Sequence, residues 1–265
     1  MYFAFFSSAS AASIEEVITL KEGPHSFDFQ FNIPDSSPPS FEGKFGWVRY
    51  SLECRIEKPW KSDYLLKDNF QVMNHLDLNL EKEAEEPYHK EVKRADACCF
   101  CYDNVDVSVC LDLPRRGFVP GEYIPVTAEI KNNTSEFVTT SVHFIKKVTY
   151  TSPEADRTKV SKHVVNQIPD FELEPHNKYV FNREKIEVPS IPASCLLGCN
   201  LITVSYYLMV KACTEYSGVR CKVVADLIIG TEPLASHSRR TSQTAPKDEM
   251  PAPLARPEWD RHPDT

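Results

Sequence analysis

Reactive side chains are few in this sequence, and the densest group is Cys98-Cys99-Phe100-Cys101. Only Cys98 and Cys101 have the C-x-x-C spacing that chelates zinc, because adjacent residues of an extended chain point apart, and a tetrahedral site needs a second pair of ligands from elsewhere. The same run admits S-acylation of a membrane-facing thiol, or thiols that are simply buried or idle. The eight histidines form no H-E-x-x-H pair, and neither G-x-S-x-G nor G-x-x-x-x-G-K-[ST] occurs. Carboxylates scattered along strands are ordinarily solvated, so the residues point to no catalytic group, no bound metal and no cofactor. Three cationic groups stand out: Arg115-Arg116, Lys146-Lys147 and Arg157-Lys159-Lys162. They suit an acidic or phosphorylated peptide or an anionic lipid surface, although solvated positions are the ordinary use of such residues. Arg239-Arg240-Thr241-Ser242 fits a basic-directed kinase, with Ser242 as the phosphate acceptor.

The elements that position these groups are strands. Arg115 to Ser135 carries turn residues Gly117 and Pro120-Gly121, then Ile124, Val126, Ala128 and Ile130 alternating with polar partners. Val107, Val109, Leu111 and Leu113 alternate before it, with Val105 at their head, and Asn132-Asn133-Thr134-Ser135 turns the chain after it. Earlier, Phe27, Phe29, Phe31 and Ile33 share one face of an expected strand 26–33, each contributing about 1.5–3 kcal/mol if buried. Further strands are expected at 14–20, 46–56 and 70–80, with Pro34 to Pro39 as a loop. Residues 81–96 are almost all charged or polar and read as a solvated linker. Beyond it the pattern predicts strands over 137–150, 160–168, 179–188, 201–211 and 219–229. From Ala235 to Thr265 the composition turns to Ser, Thr, Pro and charge, which predicts a disordered tail.

The bulk numbers narrow the class. A chain of 265 residues with 42% hydrophobic content builds real cores. A net charge of −8 argues against a general nucleic-acid binder. Nine cysteines, an odd number spread through strands, fit reduced thiols in a cytoplasmic protein. Met1 to Ser13 has a signal-like apolar start but lacks a basic flank, and no apolar run is long enough for a membrane span.

Four ordered motifs carry a resemblance. S-F-E-G-K-F-G-W-V-R-Y at 40–50, K-P-W-K-S-D at 58–63, the run from C-C-F-C at 98–101 through G-F-V-P-G-E-Y-I-P-V-T-A-E-I-K-N-N-T-S, and V-V-A-D-L-I-I-G-T-E-P-L at 223–234 resemble the α-arrestins, the arrestin domain-containing proteins. The resemblance covers roughly Gly23 to Leu234 and implies an all-β fold of two arrestin-like, immunoglobulin-like β-sandwich lobes. Set against it, the sequence divides into a partial N-terminal lobe over 1–80 that lacks its opening strands, the charged linker over 81–96, a C-terminal lobe over 97–234 and the tail over 235–265.

By resemblance the chain is a non-enzymatic adaptor in protein transport. It would bind cytoplasmic tails of membrane-protein cargo and join them to endocytic and ubiquitination machinery, working in the cytoplasm with recruitment to plasma membrane and endosomes as a peripheral protein. HECT-type ubiquitin ligases are the implied second partner, usually recruited through P-P-x-Y. None follows Leu234, and the only Pro-Pro pair, Pro38-Pro39-Ser40-Phe41, lacks the tyrosine. Three other readings compete: a scaffold subunit of an endosomal coat resembling that of retromer, a truncated product without function, and a secreted carbohydrate-binding or hydrolytic sandwich. The last would use the sequons at Asn132 and Asn133.

Overall fold

Where an alternating run finds a neighbour able to complete its hydrogen-bond ladder, it becomes a strand; where it does not, it stays irregular. The computed structural model describes residues 23–24, 26, 28–56, 62–73, 75–94, 107–153, 157–216, 218 and 220–238. Two units make up the chain, 1–234 and 235–265. The first opens with the short pairs β1 (Phe41–Glu42) with β2 (Trp47–Val48) and β3 (Tyr50–Ile56) with β4 (Tyr64–Phe70). A 3-10 turn at Leu78–Leu80 and a single helical turn, α1 (Lys82–Glu85), follow. Then come β5 (Tyr88–Arg94), β6 (Val107–Leu113), β7 (Gly117–Phe118), β8 (Tyr123–Asn132), β9 (Val138–Ser152), β10 (Arg157–Leu173), β11 (Asn177–Glu187), β12 (Ile202–Thr214) and β13 (Arg220–Ile229). In the second unit the described part is α2 (Ala235–Ser238).

β5 to β13 form a sandwich. One sheet has the order β10-β9-β12-β13-β7 and the other β11-β8-β6-β5. Their facing side chains make one core: Val107, Val109 and Leu111 of β6; Ile124, Val126 and Ile130 of β8; Val142 and Phe144 of β9; Val204, Leu208 and Val210 of β12; Val223, Leu227 and Ile229 of β13. The residues that alternate in sequence are therefore the residues that are buried. Tyr206 lies among them, its hydroxyl donating to the carbonyl of Pro192 at 2.7 Å, and burial pushes that hydroxyl well above its ordinary pKa.

Asn132 closes the end of β8. It is fully buried, its Nδ2 donating to the carbonyls of Glu136, Leu173 and Glu174 and its Oδ1 accepting from the amide and hydroxyl of Thr134. One side chain thereby ties together backbone groups of two segments, the turn at Thr134 and Glu136 and the end of β10 at Leu173 and Glu174.

Three expected elements differ. Residues 28–33 are irregular, with Phe29 68%, Phe31 44% and Ile33 40% exposed, because among the described residues no strand edge accepts their backbone groups. The phenyl rings instead meet one another, Phe29 stacking on Phe31 and Phe31 leaning on Phe70. The strand expected at 70–80 ends at Phe70; beyond it Leu76 and Leu78 are buried individually, the latter in the 3-10 turn. Of the linker expected at 81–96, Tyr88–Arg94 is β5, paired residue for residue with β6 from Tyr88↔Leu113 to Arg94↔Val107. Its two inward residues suffice: Tyr88 packs on the core and donates to the carbonyl of Val224 at 2.6 Å, and Val92 packs beside it. The charged remainder is what an edge strand ordinarily shows to solvent. The strand expected at 14–20, the last two residues of the expected linker and residues 97–106 lie outside the described residues.

The irregular segments before β5 are laced onto the sandwich by backbone contacts. Leu76 donates its amide to the Thr231 hydroxyl at 2.8 Å and accepts from the amide of Thr231 at 2.9 Å, while the amide of Arg116 donates to the Ala84 carbonyl at 3.0 Å. Glycines make the approach feasible. A Cβ on Gly230 would sit 2.6 Å from Leu78, one on Gly117 2.5 Å from Ala84, and one on Gly198, at φ +82°, 2.0 Å from the carbonyl of Ser36.

Replacing Asn132 by Ala is expected to cost about 2–4 kcal/mol in chemical denaturation, since three carbonyl groups lose their donor. Replacing Thr140 by Val should be neutral or stabilising by up to about 1 kcal/mol: its Oγ1 is buried with no hydrogen-bond partner among the described residues.

Candidate partner-binding surface

The cationic groups separate once they are placed in the fold. Arg115 is 8% exposed and is held by its own turn: its guanidinium donates to the Gly117 carbonyl at 2.8 Å, pairs with Glu122 at 3.0 Å and lies 4.4 Å over the Phe118 ring. The other oxygen of Glu122 accepts the amide of Val119 at 3.0 Å. Arg116 pairs with Glu83 at 3.3 Å and Glu86 at 2.6 Å, tying the strap around α1 to the turn. Neither arginine has a free charge to offer a partner, so these two residues are structural.

Lys146, Lys147, Arg157, Lys159 and Lys162 lie on the ribbon of β9 and β10. Lys147 is directly opposite Lys162, Lys146 opposite His163, and Lys159 opposite Tyr150. Facing partners share a face and neighbours alternate, so Lys147 and Lys162 occupy one face and Lys146, Lys159 and His163 the other. Lys159 Nζ stands 5.1 Å over the Phe45 ring. Among the described residues no carboxylate lies within ion-pair distance of any of these lysines, nor of Arg157. Like charges opposed across a ladder repel. The same ribbon is the border of its sheet: β10, 17 residues long, pairs among the described residues only with β9. Its register shifts between Val164 and Asn166 and between Ile168 and Phe171. The ribbon thus combines uncompensated positive charge with unpaired backbone donors and acceptors, which suits an extended acidic chain.

Other candidate residues fare differently. Cys98, Cys99, Cys101 and Ser242 lie outside the described residues. Pro38 and Pro39 are buried, with the carbonyl of Pro38 accepting from the Tyr50 hydroxyl at 2.5 Å and Phe41 in the core, so this pair has no groove-facing side. Of the two sequons, Asn132 is buried and fully bonded and so is no glycan acceptor, whereas Asn133 is exposed. No helix among the described residues is long and apolar enough to cross a membrane. What the sequence could not supply was the pairing of β9 with β10, which decides that Lys147 meets Lys162 rather than solvent.

Family models for two domains match the chain in order: the arrestin (or S-antigen) N-terminal domain over residues 2–79 and the arrestin (or S-antigen) C-terminal domain over residues 104–234. The chain belongs to the arrestin-domain family. Among similar proteins, arrestin domain-containing protein 17 of Caenorhabditis elegans is 28% identical over 248 residues, 91% of this chain and 58% of that protein. Arrestin domain-containing protein 4 of Mus musculus is 29% identical over 246 residues, 92% and 58% of the two chains. Arrestin domain-containing protein 1 of Homo sapiens is 30% identical over 209 residues, 76% and 46%. This arrestin-domain chain therefore spans about half the length of the curated relatives it matches. Its sandwich corresponds to the C-terminal arrestin domain, with β5 added from residues ahead of that match.

Glu122→Gln should lower the stability of the chain by about 3 kcal/mol in a thermal or denaturant melt, because it leaves the Arg115 charge buried without its counter-ion. Arg115→Met combined with Glu122→Gln should cost less than Glu122→Gln alone, since no charge is then stranded.

Proposed function

We propose that this arrestin-domain chain is a non-enzymatic adaptor that binds an acidic or phosphorylated segment of a membrane protein along β9 and β10 and joins that cargo to the endocytic and ubiquitination machinery. The observation that carries the reading is the Lys147–Lys162 pair, two opposed cations without a carboxylate partner among the described residues, the first on β9 and the second on β10, whose outer edge has no strand partner among those residues. An extended cargo tail adds backbone hydrogen bonds to that edge, and its carboxylates or phosphates relieve the repulsion between the lysines. Family membership supports the adaptor role. The adaptor acts in the cytoplasm and reaches plasma membrane and endosomes through its cargo. Because Pro38-Pro39 is buried, a ligase of the HECT type joins through another surface or through the cargo.

Capture of membrane-protein tails by the tagged chain, read by mass spectrometry, tests the reading together with direct titration of an acidic or phosphorylated tail peptide. Lys147→Glu with Lys162→Glu should weaken peptide binding at least about tenfold while changing stability by no more than about 1 kcal/mol, Lys162 being exposed and Lys147 half-buried. Binding that is unchanged by the double reversal overturns the proposed surface. Recovery of fixed, stoichiometric partners in place of cargo tails would instead indicate a coat scaffold, and binding only to anionic vesicles would make the ribbon a lipid contact.

A further inference from the structure

The sheet that does not contain β9 and β10 carries a second group of reactive side chains on its outer face. His89 of β5 and Asp112 of β6 are direct cross-strand partners, with Nδ1 of the ring 2.5 Å from Oδ1 of the carboxylate. Cys110, two residues before Asp112 and therefore on the same face, turns its thiol to Oδ2 at 3.7 Å. One ligand atom from each of the three lies within 4.8 Å of the others. Cys110 is also in register with Glu91 of β5 and Glu129 of β8. Burial, then the charge of Asp112 with smaller contributions from Glu91 and Glu129, holds the Cys110 thiol above its ordinary pKa. Glu91 and Glu129 are themselves paired with Lys93 and Lys131, so Asp112 is the carboxylate beside the thiol that a cation would meet, and a bound dication would favour the thiolate.

We propose that His89, Cys110 and Asp112 form a binding site for a divalent cation of the zinc class, with water in the fourth position. Nitrogen, sulfur and oxygen donors together suit zinc better than magnesium or calcium, which take oxygen alone. Bonds of about 2.3 Å to sulfur and about 2.0–2.2 Å to nitrogen and oxygen require donor atoms roughly 3.3–3.5 Å apart. The separation of Cys110 Sγ from Oδ2 is close to that already, while Nδ1 of His89, now hydrogen-bonded to the other oxygen Oδ1, moves out by about 1 Å as the metal takes the place of that hydrogen bond and the ring carries its proton on Nε2. Binding releases the thiol proton of Cys110 to solvent as the sulfur–metal bond forms. Ordinary zinc-ligand spacing in sequence could not reveal the site, because Cys110 lies 21 positions after His89 and the pairing of β5 with β6 is what joins them.

The test titrates the full chain carrying Cys98→Ser, Cys99→Ser and Cys101→Ser with Co²⁺ alone and then displaces the cobalt with Zn²⁺. One equivalent of cobalt should bind with the near-ultraviolet band of a thiolate ligand. Cys110→Ser should abolish that band, and His89→Ala and Asp112→Asn should each weaken binding at least about tenfold. These side chains are exposed or half-buried, and matching far-ultraviolet circular dichroism confirms that each variant is folded. Absence of a thiolate band in the triple-serine chain, or its survival in folded Cys110→Ser, overturns the site.

Discussion

The burial of one guanidinium fixes the geometry around which this molecule is assembled. A side chain such as Arg115, 8% exposed, is tolerable only when its charge and its donors are all matched. Glu122, the Gly117 carbonyl and the Phe118 ring match them, and in doing so fold residues 115–122 into one compact turn. That turn is where several segments converge. Arg116 receives the amide of Ile228 on its carbonyl and gives its own amide to Ala84, and Phe118 accepts the amide of Gly230. The end of β13, the short β7 and the strap around α1 therefore share a single anchor, and the charge pair at its centre is internal to the turn.

The strap itself is held largely through backbone, with the small cluster of Leu78, Ala84 and Leu234, packed against Val119 and Ile228, as apolar support. Such contacts depend on what is missing from the facing residues. Gly117, Gly198 and Gly230 are places where the sandwich presents bare backbone to Ala84, Ser36 and Leu78. The attachment of residues 34–48 and 76–86 is thus specified by absent side chains as much as by present ones.

Sequence reading performs well where one face is buried and the other is wet. Val107 to Leu113, Ile124 to Ile130 and Ile202 to Val210 alternate in sequence and alternate in burial. It fails in two opposite ways elsewhere. Phe29, Phe31 and Ile33 alternate just as cleanly, yet a pattern states only a preference for a face and cannot furnish the neighbouring strand that a ladder needs. Tyr88 to Arg94 scarcely alternates, yet an existing edge on β6 recruits it with two apolar residues. The candidate surface divides along the same line. Arg115 and Arg116 look like Lys146 and Lys147 in sequence, and only the position of Glu83, Glu86 and Glu122 in space separates an arginine that is consumed by the fold from a lysine that is left over.

The unpaired border of β10 has a further meaning for the protein in a crowded solution. An open strand of this length is normally an invitation to a second copy, because two identical edges complement each other's hydrogen bonds. Here a copy laid parallel and in register would set Lys162 beside the same lysine of its twin, and the two register shifts of the strand interrupt any continuous ladder. The shifts that bend the strand thus also shorten the ladder that an identical edge could complete.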